Sequence, residues 1–486
     1  MLFNSVTYLV LLAITVPLWW LLPRRPRLWV VFISSVLFYG FWRFDFLGLL
    51  ALNSVIDYVV ALALDKTENP RRRWALLLTS LVTNLGLLMF FKYAYFLTDN
   101  ANGLMALLGI DREFEIPFKI ILPLGISFYT FQTLSYTIDV FRRNIPAERD
   151  FILYADFVIF FPQLVAGPIL RASEVMTQLC TRNPFHWADV AQGFRRILYG
   201  LFLKVCLADN IAGIVDTGFN QDVSGFSALD VWTLAFLFGF QIYFDFAGYS
   251  HIAIGSANLM GIHFPENFNF PYMATSPRDF WRRWHISLSS WIRDYLYLPL
   301  AGVKAHDHSS GGLAEATSAE HTGRRDRALF LSWAIMGLWH GANWTFLVWG
   351  LWHACFVFLY RTTRGVFGKL PAAVQALGGW GLTLAIAMLG WVPFRAATLS
   401  DTFTMWKQAI NPLAYRSLNL FENTYVVTAA LFVLTVATYV VDRWVAPKLR
   451  QVPLVWIPLE SIAFAFLIAA VFIYLRPIRQ YIYFQF

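Results

Sequence analysis

A histidine that could transfer protons lies in the middle of an apolar segment of the chain. His340 belongs to the run WHGANW, and the stretch from Ala328 to Tyr360 around it contains no Lys, Arg, Asp or Glu. That stretch is long enough to cross a bilayer. Ionisable groups at membrane depth are costly, and they usually face a protein interior or a wet cavity. Because imidazole exchanges protons near neutral pH, the pattern predicts a proton-transferring group inside a membrane.

Helical spacing predicts which groups accompany His340. Asn343 and Trp344, three and four residues further on, would share its helical face, and Trp339 directly precedes it. These residues would supply a hydrogen-bonding amide and flat aromatic walls. The alternative is a structural histidine that bonds across to a neighbouring helix. The polar and aromatic surroundings favour the functional role.

Other residues of the same stretch are expected to serve packing. Gly337 and Gly341, four residues apart, permit close approach by another backbone or by a ligand. His353 follows His340 by thirteen residues, which places it on a different helical face. We therefore expect His353 to pack rather than to react.

A second histidine lies in the densest mixture of polar and aromatic residues, from Asp279 to Pro299. Its apolar and aromatic residues recur at helical spacing, while Arg283 and other polar residues occupy other faces. The recurring residues are Trp281, Trp284, His285, Leu288 and Trp291. One interpretation is an amphipathic helix anchored at the membrane interface by tryptophans. The other is a partly buried helix that directs His285 into a cavity.

An acidic residue also falls inside an apolar segment. Asp245 lies in the run QIYFDFAGYSH, which ends at His251. A carboxyl group at membrane depth must be protonated, paired or solvated. The candidates for pairing are Arg282, Arg283 and His285. Two roles for Asp245 stay open: it could form a structural ion pair that shapes a cavity, or it could be a catalytic acid.

The composition shows which elements must position these residues. The 486 residues are 58% hydrophobic and only 14% charged, with a mean hydropathy of +0.53. Soluble proteins carry about 25% charged residues, so we predict a polytopic all-α membrane protein. The net charge of +8 comes from short arginine clusters between apolar runs, which set topology and contact lipid. No continuous basic face for nucleic acid exists.

Apolar segments predict about ten to twelve spans, with re-entrant and interfacial helices, in a single membrane domain over residues 1–486. The segments at 228–260 and 328–360 are long enough to be broken or tilted. The N-terminus is expected outside, which places the basic residues 24–27 and 66–73 in the cytoplasm. A polar insert at about 303–327 predicts a mobile loop. Its His306 and His308 are unlikely metal ligands, and the three cysteines show no paired spacing.

The absence of other motifs narrows the chemistry. The chain has no phosphate-binding GxxxxGK motif and no HExxH zinc motif. Acyl transfer needs a base for a hydroxyl, a polar group for the carbonyl and protection from water. Two alternatives stay open: a proton-coupled transporter or channel that uses Asp245, His251, His285 and His340, and a non-catalytic scaffold of an export complex.

Several longer motifs resemble the membrane-bound O-acyltransferases, and the bacterial branch that acetylates alginate most closely. They are Pro265–Pro271 (PENFNFP), Phe280–Ser289 (FWRRWHISLS), Arg293–Pro299 (RDYLYLP), Gly337–Trp344 (GLWHGANW), Phe161–Pro168 (FPQLVAGP), Pro123–Phe128 (PLGISF) and Tyr481–Phe486 (YIYFQF). The resemblance implies a multi-helix bundle around a central tunnel. It also implies that His340 is the principal catalytic histidine and His285 the second.

The resemblance further implies the substrates and the partner of the chain. The donor would be acetyl-CoA or another acyl thioester, acting as a substrate with no bound cofactor or metal. The acceptor would be an exported polysaccharide such as alginate, peptidoglycan or cellulose, with an extracytoplasmic partner protein in the bacterial inner membrane. Candidate tunnel residues are Asp245, Asn343, Trp339, Trp344, Trp284 and Arg283. His251 and Ala247 stand where this branch commonly has Asp and Ser, which leaves open a different acceptor or a different partner.

Overall fold

The architecture is entirely helical in the part of the chain that the structure describes. The computed structural model describes residues 1, 3–165, 167–303 and 322–475, and every regular element in those ranges is a helix. The all-α class predicted from composition is therefore confirmed. Most of the predicted loop, including His306 and His308, lies outside the described residues. Its last residues instead begin the helix Thr322–His340. In that helix Arg324 donates to the carbonyl of Leu300, and Asp326 pairs with Arg361.

Within the described residues, seven helical segments are long and apolar enough to cross a membrane. They are Phe44–Lys66, Pro70–Leu107, Trp187–Phe219, Ala228–Leu259, Ala372–Arg395, Glu422–Leu449 and Pro453–Tyr474. Arg24–Gly40 and Ile126–Arg142 are shorter, with 17 residues each, and Thr322–His340 begins with several charges. Length and composition thus assign fewer spans than the ten to twelve predicted, and the larger number stays a prediction.

The described residues form two compact units. The first unit comprises Met1–Ile197 and Tyr249–Pro265. Its helices are Val6–Leu21, Arg24–Gly40, Phe44–Phe46, Leu47–Lys66, Pro70–Leu88, Met89–Tyr93, Ala94–Leu107, Ile126–Arg142, Phe151–Ile159 and Ala172–Thr181. Buried Asp57 ties two of them together by accepting hydrogen bonds from Ser80 (2.6 Å) and Asn84 (2.8 Å). Such a satisfied polar network specifies how helices pack where the surroundings are apolar.

The second unit comprises Leu198–Gly248 and the described chain from Glu266 onward. Its helices are Phe202–Ala208, Asp209–Phe219, Val223–Gly225, Pro271–Met273, Pro277–Arg283, Ile286–Ile292, Arg293–Tyr297, Leu298–Ala301, Thr322–His340, Trp344–Phe367, Ala372–Arg395, Leu399–Ile410, Pro412–Arg416, Glu422–Val440, Val441–Val445, Ala446–Leu449 and Pro453–Tyr474. Trp187–Leu201 and Ala228–Leu259 contribute residues to both units. Both histidines singled out by the sequence lie in the second unit.

The two long apolar segments differ in continuity. Residues Ala228–Leu259 form one unbroken helix of 32 residues. The segment at 328–360 is broken, as predicted, because one helix ends at His340 and the next begins at Trp344. These two helices form a hairpin whose backbones touch at Gly337. A Cβ there would lie 2.3 Å from the carbonyl oxygen of Phe346, which confirms the predicted close approach.

Replacing Gly337 with alanine should loosen this hairpin. The added methyl group overlaps backbone, which cannot move aside as a flexible side chain would, so we expect a loss of about 1–3 kcal/mol. The measurement is the thermal unfolding midpoint of the protein in detergent. Gly365→Ala is the matched control, since a Cβ at Gly365 meets nothing within 4 Å. Equal midpoints for the two variants would contradict the proposed contact.

Candidate functional site

His340 ends its helix among aromatic rings of the second unit. Its side chain is buried, at 5% exposure. The rings of Trp339 and Trp349 each lie 4.9 Å from the imidazole, and the ring of Phe394 lies 5.3 Å from it, all between centroids. Edge contacts of this kind fix the plane of the imidazole. His340 therefore lies inside the protein, as the sequence predicted.

Asn343 and Trp344 do not share a helical face with His340, contrary to prediction. The chain leaves the helix after His340, and Asn343 caps the next helix by accepting a hydrogen bond from the backbone of Thr345 at 3.0 Å. Asn343 and Trp344 are both exposed, Trp344 at 46%. The break arises at Gly341, where the ring of Phe346 occupies the space that a Cβ would need. Helical spacing fails here because a capping asparagine starts a new helix.

His285 lies at a second break between short helices. Pro277–Arg283 and Ile286–Ile292 flank it, and its φ of +41° is a left-handed conformation that few non-glycine residues adopt. The predicted continuous helix from Asp279 is therefore wrong. A strained residue of this kind persists only where its surroundings hold it. The orientation of His285 is thus specified by its neighbours.

Asn267 holds the strained turn from the opposite side. Its Oδ1 lies 3.1 Å from Nδ1 of His285 and accepts hydrogen bonds from the backbone and hydroxyl of Ser287, at 3.2 and 2.9 Å. Its carbonyl accepts from the backbone of Ile286 at 3.0 Å. Because Nδ1 faces an acceptor, it carries the proton and Nε2 is the basic nitrogen. The PENFNFP motif therefore sets the tautomer of His285.

Burial decides between the two interpretations of this region. His285 is 0% exposed, and Trp281, Trp284 and Trp291 are all buried. An interfacial anchor would leave its tryptophans at the surface. The buried arrangement predicted as the second interpretation is therefore the correct one. The side chain of Arg283 forms an ion pair with Asp279, with 3.0 Å between Nε and the carboxylate oxygen.

One aromatic cluster contains both histidines. Trp284, next to His285 in the chain, lies 4.7 Å from Trp391 between ring centroids. Trp391 lies 5.6 Å from Phe394, which contacts His340. The structure therefore places the two predicted histidines in a continuous aromatic interior. Such an interior excludes water and strengthens electrostatic interactions within it.

His353 belongs to the same cluster, although the sequence predicted only a packing role. Its ring lies 5.1 Å from Trp349 and 4.9 Å from Trp281. A Cβ on Gly390 would come within 2.8 Å of Nε2 of His353, so this glycine makes room for the imidazole. One ring, that of Trp349, separates His353 from His340. The spacing of four residues from Trp349 to His353 was the signal that could have found it.

Asp245 pairs with a residue that the sequence analysis overlooked. Its carboxylate accepts a hydrogen bond from Lys204, which also lies 2.9 Å from Asp209. Lys204 and Asp245 are buried, at 1% and 3% exposure. The predicted pairing of Asp245 with Arg282, Arg283 or His285 stays a prediction. A lysine within an apolar run can reach a carboxylate on the facing helix, because Gly248 brings that helix within contact of the backbone at Lys204.

The chain belongs to the membrane-bound O-acyltransferase family, whose sequence profile matches residues 72–394. Both His285 and His340 fall within the matched region. With the helical architecture and the seven apolar segments, this defines the chain as a multi-pass membrane O-acyltransferase. The resemblance stated from the motifs is confirmed.

Named relatives agree with that class. The chain is 37% identical over 466 residues to "Probable alginate O-acetylase AlgI" of Azotobacter vinelandii, which covers 93% of this chain and 87% of that protein. It is 36% identical over 411 residues to "Peptidoglycan O-acetyltransferase" of Helicobacter pylori, covering 79% and 74%. It is 30% identical over 254 residues to "Teichoic acid D-alanyltransferase" of Bacillus subtilis, covering 50% and 60%. All three names describe transfer of an acyl group.

Asn267→Ala should release His285 from its fixed orientation. The change removes the acceptor for Nδ1 and for Ser287, so we expect acyl transfer to fall at least about tenfold while the protein still folds. The measurement is acyl transfer per folded molecule. Asn269→Ala is the control, since exposed Asn269 bonds to Arg283 through its backbone alone. Unchanged transfer by Asn267→Ala would show that His285 needs no such support.

The buried pair of Lys204 and Asp245 should behave as a structural unit. Asp245→Ala alone leaves a buried ammonium with one partner fewer, and we expect it to cost about 3–5 kcal/mol. Lys204→Met combined with Asp245→Leu removes both charges and should cost less, with acyl transfer retained. Thermal unfolding and transfer assays on all variants test this. A folded but inactive double variant would give Asp245 a chemical role.

Proposed function

We propose that this enzyme moves an acetyl group from a cytoplasmic acyl thioester to a hydroxyl group of an exported polysaccharide. The observation that supports this proposal most is the burial of His340 among aromatic rings within the part of the chain that matches the family. Acetyl-CoA is the expected donor, with an acyl carrier protein as the other thioester of this type. Both act as substrates, and the chemistry requires no resident cofactor.

His340 is assigned the role of general base. It accepts the proton of the attacking hydroxyl, whose oxygen forms a bond to the thioester carbonyl carbon. The carbon–sulfur bond then breaks, and the leaving thiolate takes up the proton from the imidazolium. The imidazole must be neutral at the start in order to accept this proton. The hydroxyl belongs to the acceptor or to a relaying partner protein.

The other cluster residues are assigned to positioning. His285, held by Asn267, is expected to orient or polarise the reacting groups through Nε2. Trp339 and Trp284 are buried at 4% and 2% exposure and are expected to shield the thioester from hydrolysis. Exposed Asn343 and Trp344 would contact a substrate only at the entrance to the site.

Charge supports an orientation in the membrane for the second unit. Consecutive antiparallel helices place alternate helix ends on the same side of the membrane. One such set of ends is rich in basic residues, at 278–283, 324–327, 361–369 and 443–450. The opposite ends, at 209–222 and 395–422, carry both signs. By the positive-inside rule the basic ends face the cytoplasm. On this orientation Thr322–His340 runs outward, and His340 lies towards the extracytoplasmic end.

The names of the relatives support the proposed class of acceptor. The names of two of them refer to alginate and to peptidoglycan, which are exported polymers. We therefore expect an alginate-like, peptidoglycan or cellulose acceptor, a location in the bacterial inner membrane and an extracytoplasmic partner that completes transfer. The pairing of Asp245 with Lys204 argues against the alternative of a proton relay through Asp245.

His340→Ala should abolish acyl transfer. General bases contribute about 10²–10⁴ in rate, so we expect at least a hundredfold loss, with unchanged expression and thermal unfolding. The assay follows radiolabelled acetyl thioester consumed by proteoliposomes that hold the protein, its partner and the polysaccharide. His186→Ala is the control, because His186 is exposed in a polar loop.

Three outcomes would contradict this function. Normal acetylation by His340→Ala would show that His340 is not the general base. If His340→Ala lost assembly with the partner together with acetylation, the protein would be a scaffold. Transport of a solute across proteoliposomes without thioester consumption would favour the transporter. Mass spectrometry of surface polysaccharides from cells with and without the gene identifies the acceptor by lost O-acetyl groups.

A further inference from the structure

An open cavity of about 490 Å³ lies in the second unit, apart from the aromatic cluster. It is bounded by the helix Asp209–Phe219, by Leu234 and by the chain from Asn419 to Thr424. These helix ends belong to the set that carries both charge signs. On the orientation proposed above, the cavity therefore opens on the extracytoplasmic side, where an exported acceptor would arrive.

The lining of the cavity has the chemistry of a sugar-binding surface. None of its described lining residues is Asp, Glu, Lys, Arg or His. Amide and hydroxyl side chains alternate with apolar ones; the polar set is Thr217, Gln221, Asn419, Asn423 and Thr424. The amides of Gln221 and Asn423 make no hydrogen bond to any other described residue, so their donors and acceptors face solvent. Phe421, 78% exposed, adds a flat apolar face on which a sugar ring can stack.

Buried contacts hold one wall of the cavity rigid. The backbone of Asn419 donates to Asp230 at 3.1 Å, and its side chain donates to the carbonyl of Gly225 at 3.0 Å. The hydroxyl of Tyr425 donates to the same carboxylate and accepts from the backbone of Leu420 at 3.1 Å. Asp230 itself is 0% exposed. A wall ordered in advance lowers the entropy cost of binding a ligand.

The charges around the cavity are unfavourable for an anionic ligand. Asp222 and Glu422 directly adjoin the lining residues Gln221 and Phe421, and both are exposed. Hydrogen bonds from the backbone and hydroxyl of Ser224 hold the pKa of Asp222 below its usual range, so it stays ionised. A polyuronate, or the phosphates of a coenzyme, would meet repulsion there and no lining cation.

A short path of contacts connects the cavity to the aromatic cluster. Asp216, beside the lining residue Thr217, forms an ion pair of 2.8 Å with Arg395. Phe394, next to Arg395 in the chain, contacts the imidazole of His340. The helix Asp209–Phe219 therefore lines the cavity and also contacts the end of the helix Ala372–Arg395. Phe394 in that second helix contacts His340.

We propose that this cavity binds a neutral sugar segment of the acceptor, built from hydroxyl or acetamido groups, and presents the polymer to the transfer site. The proposal rests on the proposed function, and it deepens that function by naming the class of acceptor. It favours a neutral glucan or an N-acetylated hexosamine chain over a polyuronate such as alginate. The stacked face of Phe421 and the amides of Gln221 and Asn423 would recognise the sugar.

The test is calorimetric binding of three tetrasaccharides to the full chain in lipid nanodiscs. The probes are cellotetraose, chitotetraose and tetramannuronate. We expect at least one neutral tetrasaccharide to bind more tightly than tetramannuronate. The variant Gln221→Leu with Asn423→Leu should weaken that binding at least about tenfold, since it loses several hydrogen bonds. Asn220→Leu is the matched control, because exposed Asn220 neighbours the cavity without lining it.

Several results would overturn the proposal. They are the absence of binding by both neutral probes, tighter binding of tetramannuronate, or unchanged binding by the double variant. Intact sugar binding with lost capture of the purified extracytoplasmic partner would mark the cavity as a protein-docking site instead. His340→Ala should keep sugar binding while transfer is lost. If that variant transfers normally but the double variant loses sugar binding, the proposed catalytic role fails while the cavity assignment stands.

Discussion

Direct backbone contact between two helices is the constraint on which the site depends. Gly337 and Gly350 lie at the crossing of the hairpin, and a Cβ on Gly350 would come within 2.3 Å of the carbonyl oxygen of Trp333. Between helices in lipid there is little hydrophobic driving force, so small residues and close packing must hold them together. The short separation places the ring of Trp349 against His340. The position of the imidazole therefore depends on two glycines, Gly337 and Gly350, which face each other across the helix crossing.

The aromatic cluster extends this constraint to the second histidine. Its rings pack edge to face, tilted or stacked, within the range of about 4.5–7 Å in which aromatic pairs attract, as between Trp281 and Trp333 at 4.6 Å. The indole N–H groups of Trp281, Trp333 and Trp349 make no hydrogen bond to other described residues, so ring packing alone orders them. Thioesters hydrolyse when water reaches them, and an interior of this kind favours transfer over hydrolysis. His285, locked by Asn267, completes the enclosure.

Sequence patterns predicted the family and the burial of His340 better than the local geometry. The isolation of His340 in an apolar run predicted its place in the protein interior, because a titratable side chain at membrane depth is costly unless it is kept away from lipid. Helical periodicity then misplaced Asn343, since spacing says nothing about where a helix ends. It also missed the left-handed turn at His285, which is imposed by hydrogen bonds from a motif 18 residues earlier. The partner of Asp245 was missed because Lys204 gives no signal within its own apolar segment.

On the proposed orientation, the distribution of charge in the second unit would connect its two ends to different ligands. The buried ammonium of Lys204 is compensated locally, because it lies between the carboxylates of Asp245 and Asp209. Clusters of basic residues lie at one set of helix ends in the second unit, where the proposed anionic thioester would be attracted. The opposite end offers amides, hydroxyls and exposed carboxylates around the cavity. On the proposed function, this arrangement would keep a charged donor and a neutral acceptor on separate sides of one imidazole, so that only the acetyl group would need to pass between them.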